Sequence, residues 1–379
     1  MTPISVHLTS RIRLEQAIKQ TGITDPASIE HLTVTGTFTQ KDFDFIESCM
    51  DMTLEVLDLG GVTIRDCDFF FSHKLSRLTS YVLPDRLIKE TISLDYPNLS
   101  SFTIHPDNPV WATEDGVLYN KKKTILKHFP LMKQGDYFMP KPVRYIKRAY
   151  VFDCLSLSSI TVHPGNPYLA SENGILFNKA KTKLIKYPYQ RQCACIIPAS
   201  VTEIRHESFY DCRNLTDFEV HPDNPVFASD GGILYNKDTN RMICYPPGRQ
   251  GDYVIPDSVT AIGDMAFESC RGLTSITIPR SVSKIRSWEF AGCTGLTSVV
   301  IPDSVTEIEK CTFNQCTGLA SVTIPNSIIK IGEGAFYETT GLTSIAMPNK
   351  DVEEDCKPVN HLSDYEEEYI GKVICWSNK

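Results

Sequence analysis

The sequence lacks several features that would assign it to a common functional class. Its 379 residues contain no run of about 18 apolar residues, and the opening MTPISVHLTSRIRLEQ has no apolar core of a secretory signal. Its 13 cysteines include no Cys-x-x-Cys pair, and no glycine-rich phosphate loop occurs. We therefore expect no membrane-spanning segment, no metal site and no nucleotide or other cofactor.

Positive charge is also in deficit. The chain carries 38 Lys and Arg against 46 Asp and Glu, which gives a net charge of −8. Such a surface repels phosphate backbones over most of its area, so nucleic acid is not an expected partner. The apolar share of 41% and the charged share of 22% are typical of a folded protein.

The main positive feature is a repeat of 23 residues. Prolines mark it at Pro256, Pro279, Pro302, Pro325 and Pro348. A fixed period of this length indicates a solenoid, in which one coil cannot bury its apolar side alone. Within the segment LTSITIP, apolar residues at 273, 276 and 278 alternate with polar ones, which predicts strands that stack into a parallel sheet with one buried face.

A second apolar set in each coil predicts the opposite wall of the core. In one coil this set is Val259, Ile262, Ala266 and Phe267. Phenylalanine recurs at the same position of the coils, which predicts an aromatic stack along the solenoid of Phe209, Phe267, Phe290, Phe313 and Phe336.

The upstream coils contain a recurring insertion of 12 residues. Three similar segments begin at His105, His163 and His221, where histidine replaces the repeat proline. In each, a strand such as GILYN, a polar turn and a strand such as RMICYP predict a β-hairpin that decorates the solenoid. The histidines would stand roughly 10 Å apart, too far to share a metal, so we interpret them as residues that end strands.

These patterns predict five segments. They are a cap with a short helix over 1–31, irregular leucine-rich repeats over 32–83, repeats with hairpin insertions over 84–254, regular repeats over 255–348, and an acidic C-terminal cap over 349–379. The cap helix would begin after Ser10 and turn Leu14, Ala17 and Ile18 to one side. The run YIGKVICW near the C-terminus is apolar enough for a strand.

Cysteine forms a ladder, 14 residues after the coil proline at Cys154, Cys212, Cys270, Cys293 and Cys316. Stacked side chains that point the same way suit disulfide geometry poorly, so we expect buried free thiols. Cys193 and Cys195 should face opposite sides of a strand, and a pair between Cys356 and Cys375 stays open.

The phrase IPDSVTAIGDMAFESCRGLTSITIP resembles the BspA-type leucine-rich repeats of bacterial cell-surface proteins almost letter for letter. The resemblance implies a curved right-handed solenoid with a parallel sheet on one face and a short helical or irregular opposite wall. It also implies adhesion or protein binding at the cell surface and no catalytic residues. We expect an extracellular or cell-surface location with the export signal removed, and the alternative is a cytoplasmic protein.

A non-catalytic interaction module that binds a protein or glycan on a host, matrix or neighbouring cell is the predicted function, and we expect a monomer. The candidate contacts are outward residues of the sheet strands and lysines of the hairpins, namely Thr103, Thr161, Asp217, Glu219, Thr277, Val300, Thr323, Lys121, Lys181 and Lys237. One alternative is a stalk that presents another module. A remote one is an enzyme whose site lies in the non-repeating segments 37–83 or 349–379.

Overall fold

Parallel strands that pair from one coil to the next build a β-solenoid. The computed structural model describes residues 3–64, 75–85, 96–146, 154, 156–238, 240–347, 353–354 and 374–376. The chain divides into two compact units, Met1–Lys179 and Ala180–Lys379. Among the residues described, no helix has the length and apolar character needed to cross a membrane.

The first unit consists mainly of short β-strands. Its strands are β1 (Ile4–Leu8), β2 (His31–Phe38), β3 (Val56–Asp58), β4 (Val62–Ile64), β5 (Ser80–Val82), β6 (Ser101–Thr103), β7 (Trp111–Glu114), β8 (Val117–Asn120), β9 (Ile125–His128), β10 (Gly135–Met139), β11 (Tyr145–Ile146), β12 (Leu157–Val162), β13 (Leu169–Glu172) and β14 (Ile175–Asn178). The order of the first sheet is β1-β2-β3-β5-β6, with β4 also paired to β2.

Two helices cover the apolar residues of this sheet. They are α1 (Leu14–Gln20) and α2 (Gln40–Met50), and a 3₁₀ helix spans Pro26–Ser28. The predicted helix is confirmed, because Leu14, Ala17 and Ile18 are all buried. The assignment of Ser10 as its cap is wrong: the helix starts at Leu14, whose backbone N–H donates to Oδ1 of Asp42 at 3.0 Å. A carboxylate from α2 therefore accepts the hydrogen bond that a capping side chain next to the start of the helix would normally accept.

The second unit contains the regular repeats. Its strands are β15 (Lys183–Lys186), β16 (Cys195–Ile197), β17 (Glu203–Ile204), β18 (Phe218–Val220), β19 (Phe227–Asp230), β20 (Ile233–Asn236), β21 (Arg241–Cys244), β22 (Gly251–Val254), β23 (Ala261–Ile262), β24 (Leu273–Thr277), β25 (Ser298–Val300), β26 (Glu307–Ile308), β27 (Ser321–Thr323), β28 (Lys330–Ile331), β29 (Ser344–Met347), β30 (Glu353–Glu354) and β31 (Ile374–Trp376). One 3₁₀ helix spans His206–Phe209.

Parallel pairing runs through the order β22-β24-β25-β27-β29-β31, the main sheet of this unit. A strand within the C-terminal run YIGKVICW is confirmed, because β31 pairs with β29. Apart from β30 and β31, the acidic cap over 349–379 lies outside the described residues, and so does Cys356. The pair of Cys356 with Cys375 is therefore not described.

The opposite wall consists of short strands and turns. β26, β28 and β30 pair in parallel, and the wall is helical only at His206–Phe209 within the described second unit. Backbone hydrogen bonds join the turns of successive coils, as from Phe267 N to Glu289 O at 3.1 Å and from Phe290 N to Thr312 O at 2.9 Å. This wall is thus held by main-chain hydrogen bonds between coils.

Each inserted segment is a three-stranded antiparallel meander. β19 pairs with β20 and β20 with β21, and β21 then joins the opposite wall by parallel pairing with β23. In the first unit β7, β8 and β9 repeat this arrangement, and β9 pairs in parallel with β11. The predicted hairpin is confirmed, and the strand before it, β7 or β19, is an addition.

The predicted aromatic stack is confirmed over four coils. The rings of Phe267 and Phe290 lie 5.0 Å apart, those of Phe290 and Phe313 5.3 Å, and those of Phe313 and Phe336 5.5 Å, all with near-parallel planes. Tyr245 extends the stack, 5.2 Å from Phe267. Phe209 instead meets Phe218 edge-on at 4.8 Å.

The cysteine ladder is buried, and its thiols are free. Each Sγ donates to a backbone carbonyl of the preceding coil, as from Cys293 to Phe267 at 3.0 Å and from Cys316 to Phe290 at 3.1 Å. Burial raises the pKa of the Cys270 and Cys316 thiols, which therefore keep the proton that they donate. The corner position thus satisfies a buried carbonyl as well as filling space.

Glu289 interrupts the apolar pattern of the core. It is 0% exposed and stands where neighbouring coils have Ala266 and Thr312. Its Oε2 accepts from Arg286 N at 2.7 Å, while Oε1 has no partner among the described residues. Burial raises the pKa of Glu289 to about 8, an effect opposed by the hydrogen bond and charge of Arg286. Its carboxyl group therefore holds a proton near neutral pH.

We expect Ile276→Ala and Thr277→Ala to differ sharply in stability. Ile276 is 1% exposed, so its truncation leaves a cavity between coils and should lower the free energy of unfolding by about 2–5 kcal/mol. Thr277 is exposed, and its truncation should cost less than about 1 kcal/mol. Urea unfolding of both variants measures this difference. The opposite ranking would mean that the strand faces are reversed.

Glu289 should make stability depend on pH. Above its ordinary pKa of 4.5 the unfolded chain loses this proton, whereas the folded chain keeps it up to about pH 8. The free energy of unfolding should therefore fall as pH rises through this window, by up to about 1.4 kcal/mol per unit, and level off above it. Glu289→Gln should flatten this slope in urea titrations at pH 5, 6, 7 and 8. The exposed Asp303→Asn is the control, and an unchanged slope in Glu289→Gln would refute the assignment.

Candidate interaction surfaces

Four outward residues of the main sheet in the second unit form one column. Val254 pairs with Thr277, Thr277 with Val300, and Val300 with Thr323 in the parallel register. All four are exposed, Val254 by 67% and Val300 by 57%. We call these four residues the sheet-face column. The structure therefore brings three of the predicted contact residues together and adds Val254.

Each predicted contact residue on the other parallel strands lies beside one residue of a neighbouring strand. Exposed Thr161 lies beside Phe138 on β10, and exposed Glu219 lies beside Ile196 on β16. Thr103 is also exposed and pairs with Val82 on β5.

Sequence reasoning missed Phe138 and Ile196, which are 53% and 48% exposed. With Val254 they recur every 58 residues, at the end of the strand that follows each insertion. That spacing was the signal that could have found them.

Asp217 is half-buried and already has a partner. Nη2 of Arg249 donates to its Oδ1 at 2.8 Å. Burial alone would raise the pKa of Asp217, but hydrogen bonds from Arg249 and Thr216 lower it below its ordinary value. Its negative charge is thus largely compensated inside the protein.

The predicted hairpin lysines have different environments. The ammonium group of Lys121 donates to the carbonyl of Pro106, and that of Lys237 donates to Pro222 at 3.2 Å and Asn224 at 3.0 Å. Lys181 instead lies in the turn with a φ of +52° and is partly buried. Lys121 and Lys237 therefore fasten each meander to the loop that precedes it.

A buried asparagine fixes the start of each meander, which sequence reasoning did not predict. Oδ1 of Asn224 accepts from Val226 N at 2.9 Å and Phe227 N at 2.7 Å. Its Nδ2 donates to carbonyls of the preceding coil, at 2.8 Å to Pro198 and 2.9 Å to Val201. Asn108 and Asn166 are buried equivalents with the same backbone acceptor role. The repeated phrase His-Pro-x-Asn-Pro is the signal for this lock.

The repeated histidines end strands, as interpreted from their spacing. Nδ1 of His105, His163 and His221 accepts a hydrogen bond from the backbone N–H two residues later, at 3.2, 2.9 and 3.2 Å. This contact closes the turn. The described residues contain no group of three or more His, Cys, Asp or Glu arranged to hold a metal ion.

A polar concavity of about 410 Å³ lies in the first unit. It is lined by Glu55, Arg77, Thr79, Asn98, Ser100, Met132 and Gln134. Arg77 donates to Glu55 at 2.9 Å, and the hydroxyls of Thr79 and Ser100 donate to backbone carbonyls at 3.1 and 2.8 Å. These three lining side chains are therefore engaged in hydrogen bonds within the protein.

Solved structures of bacterial leucine-rich repeat proteins are similar to this chain. A leucine rich cell surface protein of Faecalibacterium prausnitzii A2-165 is 22% identical, with 88% of this chain and 74% of that chain covered and a TM-score of 0.40. A leucine-rich repeat protein of Eubacterium ventriosum ATCC 27560 is 19% identical, with 81% and 89% covered and a TM-score of 0.37. The pneumococcal vaccine antigen PcpA is 20% identical, with 86% and 70% covered and a TM-score of 0.38.

A family profile matches the repeats themselves. The BspA type leucine rich repeat region is found in six copies, over residues 191–224 and 249–356. No curated protein sequence matches the chain. The matched copies coincide with the 23-residue period, and the repeats over residues 191–224 and 249–356 are therefore BspA-type leucine-rich repeats.

Proposed function

We propose that this chain is a non-catalytic module that binds a protein partner through the sheet-face column. The partner would lie on a host, in the matrix or on a neighbouring cell, and the chain would act outside the cell. The observation that carries the proposal is the register of Val254, Thr277, Val300 and Thr323, in which two strongly exposed valines alternate with two small hydroxylated residues.

The column suits a protein surface for two physical reasons. Valine and threonine are stiff at χ1, so they lose little side-chain entropy when a partner covers them. The strands below are fixed by parallel pairing and by the buried residues Ile276, Val299 and Val322. A partner would therefore meet a preformed surface and cover apolar area that water now contacts.

The meander lysines are less suited to recognition. The ammonium groups of Lys121 and Lys237 donate to backbone carbonyls, so a ligand would have to compete with these bonds. A stalk that presents another module needs no exposed valines on its sheet.

We expect Thr277→Arg and Val300→Arg to weaken partner binding at least tenfold. Each adds a bulky charge at the centre of the column, where a protein partner would have to bury it. Binding of the purified chain to a panel of extracellular-matrix proteins by biolayer interferometry measures the effect. The melting temperature should barely change, because both residues are exposed.

Ser283→Arg is the matched control, since Ser283 is exposed but lies outside the sheet strands. It should leave binding unchanged. If Lys181→Glu abolishes binding while the column variants do not, the meander is the contact surface. If no matrix protein binds, the sheet-face proposal fails and the stalk becomes the better account.

A further inference from the structure

Two arginines of the second unit share one buried carboxylate. Asp211, whose side chain is 7% exposed, accepts from Arg213 Nε at 3.1 Å and Nη2 at 3.1 Å. It also accepts from Arg271 Nε at 3.2 Å and Nη2 at 3.5 Å. The side chains of Arg213 and Arg271, which we call the arginine pair, remain 45% and 42% exposed.

The pair carries more charge than its partner neutralises. Two guanidinium groups face one carboxylate, and the hydroxyl of Tyr189 adds another hydrogen bond to Asp211 at 3.0 Å. Each guanidinium has five N–H donors and uses two of its nitrogens on Asp211. The guanidinium group of Arg213 also lies 5.6 Å from the ring centre of Tyr189. The described chain offers Arg271 no further side-chain acceptor, so its outer N–H groups are available to a ligand.

The fold holds the pair in place across three coils. Arg271 lies 60 residues from Asp211, and the buried segment Pro246–Gly248 belongs to the coil between theirs. Gly248 packs so closely that an added Cβ would lie 2.6 Å from the carbonyl oxygen of Arg213. The guanidinium group of Arg271 thus reaches a carboxylate two coils away. The two forks are therefore fixed before any ligand arrives.

The surroundings of the pair are polar. Asn214 Nδ2 donates to Gln190 Oε1 at 3.2 Å. Arg191, which follows Gln190 in the sequence, places its guanidinium group 6.0 Å from the ring centre of Tyr187. The Nε atom of Arg191 has no partner among the described residues. Amides and guanidinium groups thus lie together at the corner that leads into β16 and β18.

We propose that the arginine pair binds the sulfate or carboxylate groups of an acidic polysaccharide. Fixed arginine forks match such oxyanions by paired hydrogen bonds, and the neighbouring amides match sugar hydroxyls. A protein partner would need apolar anchors, whereas Tyr189, Pro246 and Pro247 beside the pair are buried and the amides of Asn214 and Gln190 are not. This site is separate from the sheet-face column and does not depend on the function proposed for it.

Immobilised heparin in 0.15 M salt is the probe for sulfate, and immobilised polygalacturonate is the probe for carboxylate. We expect the intact chain to bind at least one of them. Arg213→Gln with Arg271→Gln should weaken this binding at least tenfold. Arg213→Lys with Arg271→Lys should weaken it severalfold although the charge is unchanged, because lysine lacks the planar fork.

Arg280→Gln with Lys284→Gln is the matched control, which removes two exposed positive charges elsewhere in the same unit. It should change binding less than twofold. Equal losses in both glutamine pairs would overturn the proposal, as would no binding to either polysaccharide. Competition by polyglutamate or single-stranded DNA as strong as by heparin would also overturn it. If the glutamine pair does not fold, as judged by its melting curve, the lysine pair decides.

Discussion

Each coil depends on its neighbours, because a 23-residue coil cannot bury its own apolar residues. Ile276 is buried only where the strands on either side, β22 and β25, extend the wall around it. Main-chain hydrogen bonds between coils then set the spacing, and the phenylalanine rings at 5.0–5.5 Å follow from it. The residues that repeat in the sequence are thus those whose side chains contact the equivalent residues of the next coil.

The same constraint decides which polar side chains are available for recognition. Asn224, Lys237 and Arg249 are polar, yet each is used to fasten an insertion to the coils beside it. Hydrogen bonds to backbone carbonyls therefore act together with the buried apolar residues of each insertion, such as Leu118, Leu176 and Leu234. Charged side chains near the meanders therefore stabilise the fold, and a partner that bound them would have to compete with these hydrogen bonds.

The repeat period predicts the buried and exposed positions within a coil, but it does not predict contacts between residues that lie far apart in the sequence. The alternation at Ile276 and Thr277 gave the buried and exposed faces, and the cysteine spacing gave the buried thiols. Local sequence rules predict Ser10 as the cap of α1, whereas Asp42 on another helix accepts the hydrogen bond from Leu14 N. Arg271 and Asp211 could not be paired from spacing, since neither letter belongs to the repeat.

Departures from the repeat therefore carry the information specific to this chain. Where neighbouring coils place Thr294 and Thr317 after the ladder cysteine, two coils place Arg213 and Arg271. A repeat position tolerates such a change when the side chain points outward or finds a partner, as both arginines do at Asp211. Glu289 shows the cost of the other case, because its carboxyl group is buried and burial favours its protonated form near neutral pH. Burial favours the neutral form of an ionisable residue that enters the core, whereas one at a corner can keep its charge and bind an ion of opposite sign.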